Sequence, residues 1–318
     1  MTPQRDVIKL PTASMKPDEE AASLAKSMRI GSRTKTVGIF GYPIAHSLSP
    51  VIHNAAFAKL GLDFVYLPFP VRPDHLEDAV KAIKSLNLVG VNITIPHKRK
   101  VLDYLDEVDH QARMMASVNT ILHQDGRLIG YNTDGEGFLE SLREEGGFDP
   151  QGKRVFVIGA GGAGSAISFA LVKAGIRSII LANRTPGKAK ILLERLEENA
   201  KAKCEFSLVD FNQRNSPGIM DKVDLFINAT SVGMHPNDSL LINPDLFPPH
   251  IFIYDVIYHR KTKLLKEAEK RNLASLSGVG MLIYQGALSF KIWTNQTPPI
   301  NEMRRVLMGE FNKQKDTG

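Results

Sequence analysis

Gly159, Gly161 and Gly164 stand at the first, third and sixth places of the run Gly159-Ala160-Gly161-Gly162-Ala163-Gly164. The apolar stretch RVFVI leads into this run, and AGSAISFALVKAG, a helical pattern, leads out of it. G-x-G-x-x-G is weak by itself and gains meaning between a strand and a helix. The first glycine permits a tight turn, the second lets a pyrophosphate approach the backbone, and the third lets helix and strand pack closely. The helix start adds free amides and a partial positive charge. The chemistry this points to is dinucleotide binding, and an ordinary structural turn is the plainer alternative.

The end of the following strand selects the dinucleotide. Enzymes for NAD usually place Asp or Glu there, whereas this chain has Asn183-Arg184-Thr185 with Lys188 close behind. Arg184 and Lys188 can pair with a ribose 2′-phosphate, and Asn183 and Thr185 can hydrogen-bond it. NADP(H) is therefore the expected cofactor, against a solvated loop of the same residue types.

Oxidising an alcohol releases a proton along with the hydride, so a proton acceptor is needed near the reacting carbon. NITIPHK puts Lys98 just beyond an apolar strand, and GYNTDGEGF puts Asp134 in a turn between the two halves of the chain. A lysine and an aspartate within reach of one hydroxyl could share its proton. Burial lowers a lysine pKa and a neighbouring carboxylate raises it again, so the pair must balance the two. Taken by residue type alone, a solvated lysine and an ordinary Asn-Thr-Asp-Gly turn are the stronger explanation of both positions. HSLSP adds two hydroxyls before a helix expected over 50–60. Ser49 before Pro50 reads as its N-cap. Ser47 is then a surplus hydroxyl that the cap does not explain.

The elements that must hold these groups alternate along the chain. Strands are expected at 36–40, 64–71 and 88–96, helices at 50–60 and 74–86, and a further helical stretch up to Met115. Asp125-Gly126 then joins two short strands as a hairpin. In the second half RVFVIGAG, SIILANR, KCEFSLVD, VDLFINATS and IFIYDVIY are strand candidates separated mainly by helical segments, with a weaker sixth at ASLSG. That alternation implies a parallel sheet covered on both faces. The helical run 281–293 has no sheet of its own to continue and is expected to cross back to the first half.

Composition narrows the classes. With 43% apolar and 23% charged residues over 318 positions, the chain can bury two cores. No stretch is apolar enough to span a membrane, and the first thirty residues lack a signal-peptide h-region. Those residues read as a tail with one short helix from about Pro17 to Ile30. Cys204, the only cysteine, excludes an intrachain disulfide framework and suits a reducing cytoplasm. The nine histidines show no ligand spacing, so no metal is expected. A net charge of +6 without a basic, aromatic-interleaved stripe gives no reason to expect nucleic acid.

GYPIAHSLSP, VNITIPHK, ASVNTI, GYNTDG, GAGGAG, NRTPGK, NATSVGM, YDVIY and GVGMLIYQGA occur in an order that resembles the shikimate dehydrogenase family, quinate/shikimate relatives included. The resemblance covers about residues 36–295. It implies reversible NADPH-dependent reduction of 3-dehydroshikimate to shikimate, with a quinate/shikimate dehydrogenase of relaxed NAD/NADP use as the alternative. It makes Lys98 the principal proton acceptor or donor, with Asp134 beside it. Ser47 and Ser49 would hold the substrate carboxylate, and Thr94, Asn119, Tyr258 and Gln285 would surround the ring. Gly159, Ala160, Gly161, Gly162 and Ala163, with Asn183, Arg184, Thr185 and Lys188, would bind NADP, and Val256 and Gly278 would lie near the nicotinamide. The implied fold is two α/β domains about a cleft. A substrate domain over 36–134, completed by 281–318, would follow the tail of 1–35 and precede a doubly wound, parallel-sheet Rossmann domain over 135–280. The partner is a small molecule, and a homodimer is compatible with the sequence. A second-position serine in HSLSP, where quinate-preferring relatives are associated with threonine, favours shikimate.

Overall fold

The computed structural model describes residues 30–200 and 204–316, so the helix expected near 17–30 and most of the tail lie outside the described residues. Two sheets organise the chain. In the first, β1 (Lys35–Gly41) pairs in parallel with both β2 (Phe64–Pro70) and β3 (Gly90–Ile93). Helices α1 (Ser49–Lys59) and α2 (Leu76–Ser85) make the connections. Three more strands, β4 (Glu107–Val108), β5 (Thr120–Gln124) and β6 (Arg127–Tyr131), complete the order β2-β1-β3-β5-β6-β4. β5 and β6 form the expected hairpin, with Asp125 at φ 51° and Gly126 at φ 75°. Positive φ at both loop positions is what a two-residue turn between twisted strands demands.

The helical stretch expected up to Met115 is mostly not helical. Residues Lys100–Tyr104 form a short 3₁₀ turn, β4 follows, and only α3 (His110–Met115) is α-helical. Tertiary bonds outweigh local propensity there. His97 is buried with its ring on the Val71 carbonyl, and residue 106 exchanges bonds with Leu128 on the β6 edge. Asp109 then caps α3 by accepting from the Gln111 amide at 2.9 Å. β3 is also shorter than expected, because Pro96 has no amide to give to a ladder.

The second sheet contains β7 (Arg154–Ile158), β8 (Ser178–Ala182), β9 (Glu205–Leu208), β10 (Leu225–Asn228), β11 (Phe252–Asp255) and β12 (Ser275–Ser277). Every pairing in the order β12-β11-β10-β7-β8-β9 is parallel. Helices α4 (Asp134–Glu144), α5 (Gly162–Lys173), α6 (Pro186–Asn199) and α7 (Lys263–Lys270) serve this half. Two crossovers depart from the expected alternation. The β9–β10 and β10–β11 connections carry the 3₁₀ turns Phe211–Gln213 and Pro244–Leu246 instead of α-helices. Pro217, Pro236, Pro244, Pro248 and Pro249 punctuate both segments and deny them helix interiors.

The chain then returns. Helices α8 (Val279–Thr294) and α9 (Ile300–Asp316) bring Ile283, Phe290, Trp293, Met303 and Leu307 into one core with Val37, Ile52, Phe57 and Tyr66 of the first sheet and α1. Phe290 is fully buried, and its ring stacks on Phe57 at 5.2 Å. Among the described residues no helix is long and apolar enough to cross a membrane. Phe290→Ala should destabilise the protein by about 3–5 kcal/mol in urea unfolding. A loss below about 1 kcal/mol would show that the returning helix is not part of this core.

Candidate functional site

Lys98 lies in the turn beyond β3, where its carbonyl accepts from the Val118 amide at 2.8 Å. Its Nζ donates to Asp134 Oδ2 at 2.5 Å. The lysine side chain is 19% exposed and the aspartate side chain 5%, so one end of the pair faces open space. Asp134 is the first residue of α4, where the helix dipole favours a carboxylate. Asn119 fixes its other oxygen, with Nδ2 donating to Asp134 Oδ1 at 2.9 Å and to Thr133 Oγ1 at 2.8 Å. The Thr133 amide donates back to Asn119 Oδ1 at 2.8 Å, which sets the orientation of the Asn119 amide. Gln285 on α8 joins through Oε1, 3.4 Å from the same Nδ2. Lys98, Asp134, Asn119 and Gln285 thus form one linked group, drawn from both ends of the chain. Such a pair can exchange a proton with a hydroxyl placed on its open side.

Ser49 does not cap the helix as the sequence suggests. α1 begins at Ser49 itself, Leu48 is the cap residue, and no side chain caps the helix. The Ser47 hydroxyl oxygen accepts from the Ser49 amide at 3.3 Å, so Ser47 supports the helix start. Ser49 is buried, with its hydroxyl against that of Tyr66. One residue of slip at the helix start accounts for the change. Thr94 is half-buried and bonded through its backbone, with its amide on the Phe40 carbonyl at 2.9 Å. Burial pushes the Tyr258 phenol up from its ordinary pKa. Among the described residues no hydrogen bond joins the side chain of Thr94 or Tyr258 to the Lys98 group.

The glycine turn has the form its spacing predicts. Gly159 sits at φ 119°, and a methyl group there would come 2.5 Å from the Ala229 carbonyl oxygen. A methyl group on Gly164 would come 2.1 Å from the Gly159 carbonyl oxygen, whereas one on Gly161 would meet nothing within 4 Å. The first and third glycines are therefore required by packing, and the second leaves an open cradle at the start of α5. Asn183 ties this turn to the next one, accepting from the Ala160 amide at 3.1 Å and donating to the Thr185 carbonyl at 2.8 Å. Arg184, Thr185 and Lys188 are exposed beside it, and Ala163 lies in the first turn of α5. Val256 and Gly278 meet backbone to backbone beyond β11, where a methyl group on Gly278 would come 2.0 Å from the Val256 carbonyl oxygen. Lys98 adjoins the cradle, since a methyl group on Gly162 would lie 3.3 Å from Lys98 Cδ.

Two polar features escape a reading by motif. A buried network continues from Asn119 through Thr120, Ser289 and Asn92 to Tyr66, whose hydroxyl donates to Asn92 Oδ1 at 2.8 Å. The available signal was a polar residue inside an apolar run, as in VNITI and GALSF. The second feature is Asp255, the last residue of β11, which is fully buried. Its Oδ1 accepts from Asn228 Nδ2 and the Ile257 amide, and its Oδ2 accepts from Thr262 Oγ1 at 2.7 Å.

Comparisons with known proteins agree over most of the chain. The family model for the shikimate dehydrogenase substrate binding domain matches residues 39–121. The shikimate / quinate 5-dehydrogenase model matches 142–234, and the shikimate 5′-dehydrogenase C-terminal domain matches 278–308. The chain is 43% identical over 288 residues to the NADP(+) shikimate dehydrogenase of Methanopyrus kandleri, covering 90% of this chain and 99% of that protein. A crystal structure of a shikimate dehydrogenase in complex with NADP+ superposes with a TM-score of 0.82 at 41% identity, covering 89% of this chain and 98% of that one. The Thermus thermophilus enzyme, solved with NADP(H) and shikimate, gives 0.76 at 35% identity, covering 86% and 98%.

Burial pushes the Asp255 carboxyl up to about 6. An unfolded aspartate titrates near pH 4, so between about pH 4 and 6 the folded protein holds a proton the unfolded chain has released. The contribution of this group to stability therefore falls as pH rises through that window. In Asp255→Asn, Nδ2 takes the place of Oδ2 and can donate to Thr262, whose hydroxyl rotates. The unfolding free energy of the natural protein minus that of Asp255→Asn should fall by up to about 3 kcal/mol between pH 4 and 7. A difference that is flat or rises across this range would contradict the assignment.

Proposed function

The chain belongs to the shikimate dehydrogenase family, and on that premise we propose that it catalyses the reversible NADPH-dependent reduction of 3-dehydroshikimate to shikimate. The observation that carries the reading is the Lys98–Asp134 contact of 2.5 Å, held by Asn119 and set directly against the glycine turn. The open cradle at Gly161 and the exposed Arg184 and Lys188 fit a dinucleotide with a 2′-phosphate. When bound, NADP(H) supplies or takes the hydride.

The residues of the chain handle the rest. Lys98 gives its proton to the oxygen of the carbonyl being reduced and recovers one in the reverse direction. Asp134 keeps the ammonium in place and, through Asn119, keeps a single orientation itself. Gln285, Thr94, Asn119 and Tyr258 surround the ring, and Ser47 and Ser49 face the substrate carboxylate at the positive end of α1. Residues 36–134 with 281–318 form the substrate side in this reading, and 135–280 the cofactor side. Cys204 is the only cysteine of the sequence, which suits a cytoplasmic enzyme, and burial pushes its thiol up to about 11.

The deciding experiment compares kcat/KM for shikimate and quinate, each with NADP and NAD. Shikimate with NADP should dominate, and dominant quinate oxidation with NAD would overturn the proposal. In the same assay Lys98→Ala should lower kcat by ~10²–10⁴ with a smaller change in KM. Near-normal turnover in that variant would remove Lys98 from its role.

A further inference from the structure

The ends of the parallel strands lay out the path of a dinucleotide across the second sheet. Arg184 and Lys188 follow β8, the glycine turn follows β7, and Asn228 and Asp255 end β10 and β11. Ile158, Asn228 and Asp255 share one row of the sheet, since Asn228 pairs with Ile158 on one side and Asp255 on the other. Ligands of open parallel sheets lie beyond these carboxyl ends. With the 2′-phosphate beside β8 and the pyrophosphate over β7, the far half of the molecule falls over β10 and β11. Strands lie about 4.8 Å apart, so Asp255 is about 10 Å from the pyrophosphate turn, which is the span to a nicotinamide.

What stands there is an unusual charge. The Asp255 carboxylate is fully buried, and its hydrogen bonds come from neutral donors: Asn228, Thr262 and the Ile257 amide. Among the described residues it makes no ion pair, and each of the donors that hold it is uncharged. By contrast, the other carboxylate of the site, Asp134, is neutralised by Lys98. Asp255 therefore projects a net negative field through a region of low dielectric, where charge acts over longer distances than in water. The nicotinamide ring is cationic when oxidised and neutral when reduced, so that field discriminates between the two forms.

We propose that the Asp255 carboxylate sets the relative affinity of this site for the two redox forms of the dinucleotide, favouring the oxidised one. Its role is electrostatic and positioning, because the carboxylate is covered by protein and touches no reactant. The inference rests on the reading that the cleft takes NADP(H).

The test is a pair of binding titrations, by calorimetry or intrinsic fluorescence at pH 8, of the full chain with NADP+ and with NADPH. If neither form binds the natural protein, the cofactor reading fails before the inference is reached. Where both bind, Asp255→Asn should weaken NADP+ about 5–20-fold and change NADPH less than about twofold. Asp255→Ser, a smaller neutral replacement, serves if the amide disturbs the donors around it. Thr262→Val removes a hydroxyl from the same carboxylate and keeps the charge, so the ratio of the two dissociation constants should stay as it was. Equal weakening of both forms in Asp255→Asn, no change in either, or the same ratio shift in Thr262→Val would overturn the proposal.

Discussion

An ammonium and a carboxylate held against each other in a space open on one side are the constraint that the rest of the molecule serves. Removing two charges from water is costly, and their attraction offsets that cost only when geometry and remaining hydrogen bonds are good. Lys98 and Asp134 are separated by three strands of the first sheet and the short helix α3. The hairpin β5–β6 brings them together by placing Asn119 just before one strand and Thr133 just after the other. Asn119 is then the hinge of the arrangement, since its amide donates to Asp134 while its oxygen is held by the Thr133 backbone. The Thr120 hydroxyl donates to the same oxygen at 3.0 Å, so a flip of the amide would break both bonds, and the carboxylate keeps a fixed orientation.

The same demand for satisfied polar groups recruits the end of the chain. Ser289 and Gln285 on α8 complete bonds to Thr120, Asn92 and Asn119 that the first sheet alone leaves open. Inside a protein such bonds are strong when made and costly when missing. Apolar packing of Phe290 and Trp293 therefore sets the depth of α8, and the hydroxyl of Ser289 sets its register. Trp293 shows both effects at once, as a buried ring whose Nε1 donates to the Ile121 carbonyl at 2.9 Å.

How much of this can be read from the residues depends on how local the cause is. The glycine turn is legible because each glycine answers to a neighbour a few residues or one strand away. The hairpin at Asp125-Gly126 is legible for the same reason, since positive φ is a property of those two residues. Lys98 and Asp134 stand out by type and context, but nothing in the chain states that they touch. The cap in HSLSP is misread because the helix starts one position early, which makes Leu48 the cap residue and leaves the Ser49 hydroxyl buried. Residues 97–115 look helical until the pairing of Asp106 with Leu128 is known. Asp255 is invisible for a different reason: an aspartate after a strand is ordinary, and only burial without a cation makes it otherwise.

The return of α8 and α9 also has a consequence for the order in which the protein is made. Domains fold largely as units while synthesis proceeds from the N-terminus. The second sheet is contiguous from Arg154 to Ser277, so all of its strands are made before α8 and α9. The first sheet, although translated earlier, stays incomplete until Phe290, Trp293, Met303 and Leu307 have emerged. The earlier half of the polypeptide thus waits for a later segment. A chain cut near residue 280 would hold every strand of the second sheet beside an open apolar face, which α8 and α9 shelter.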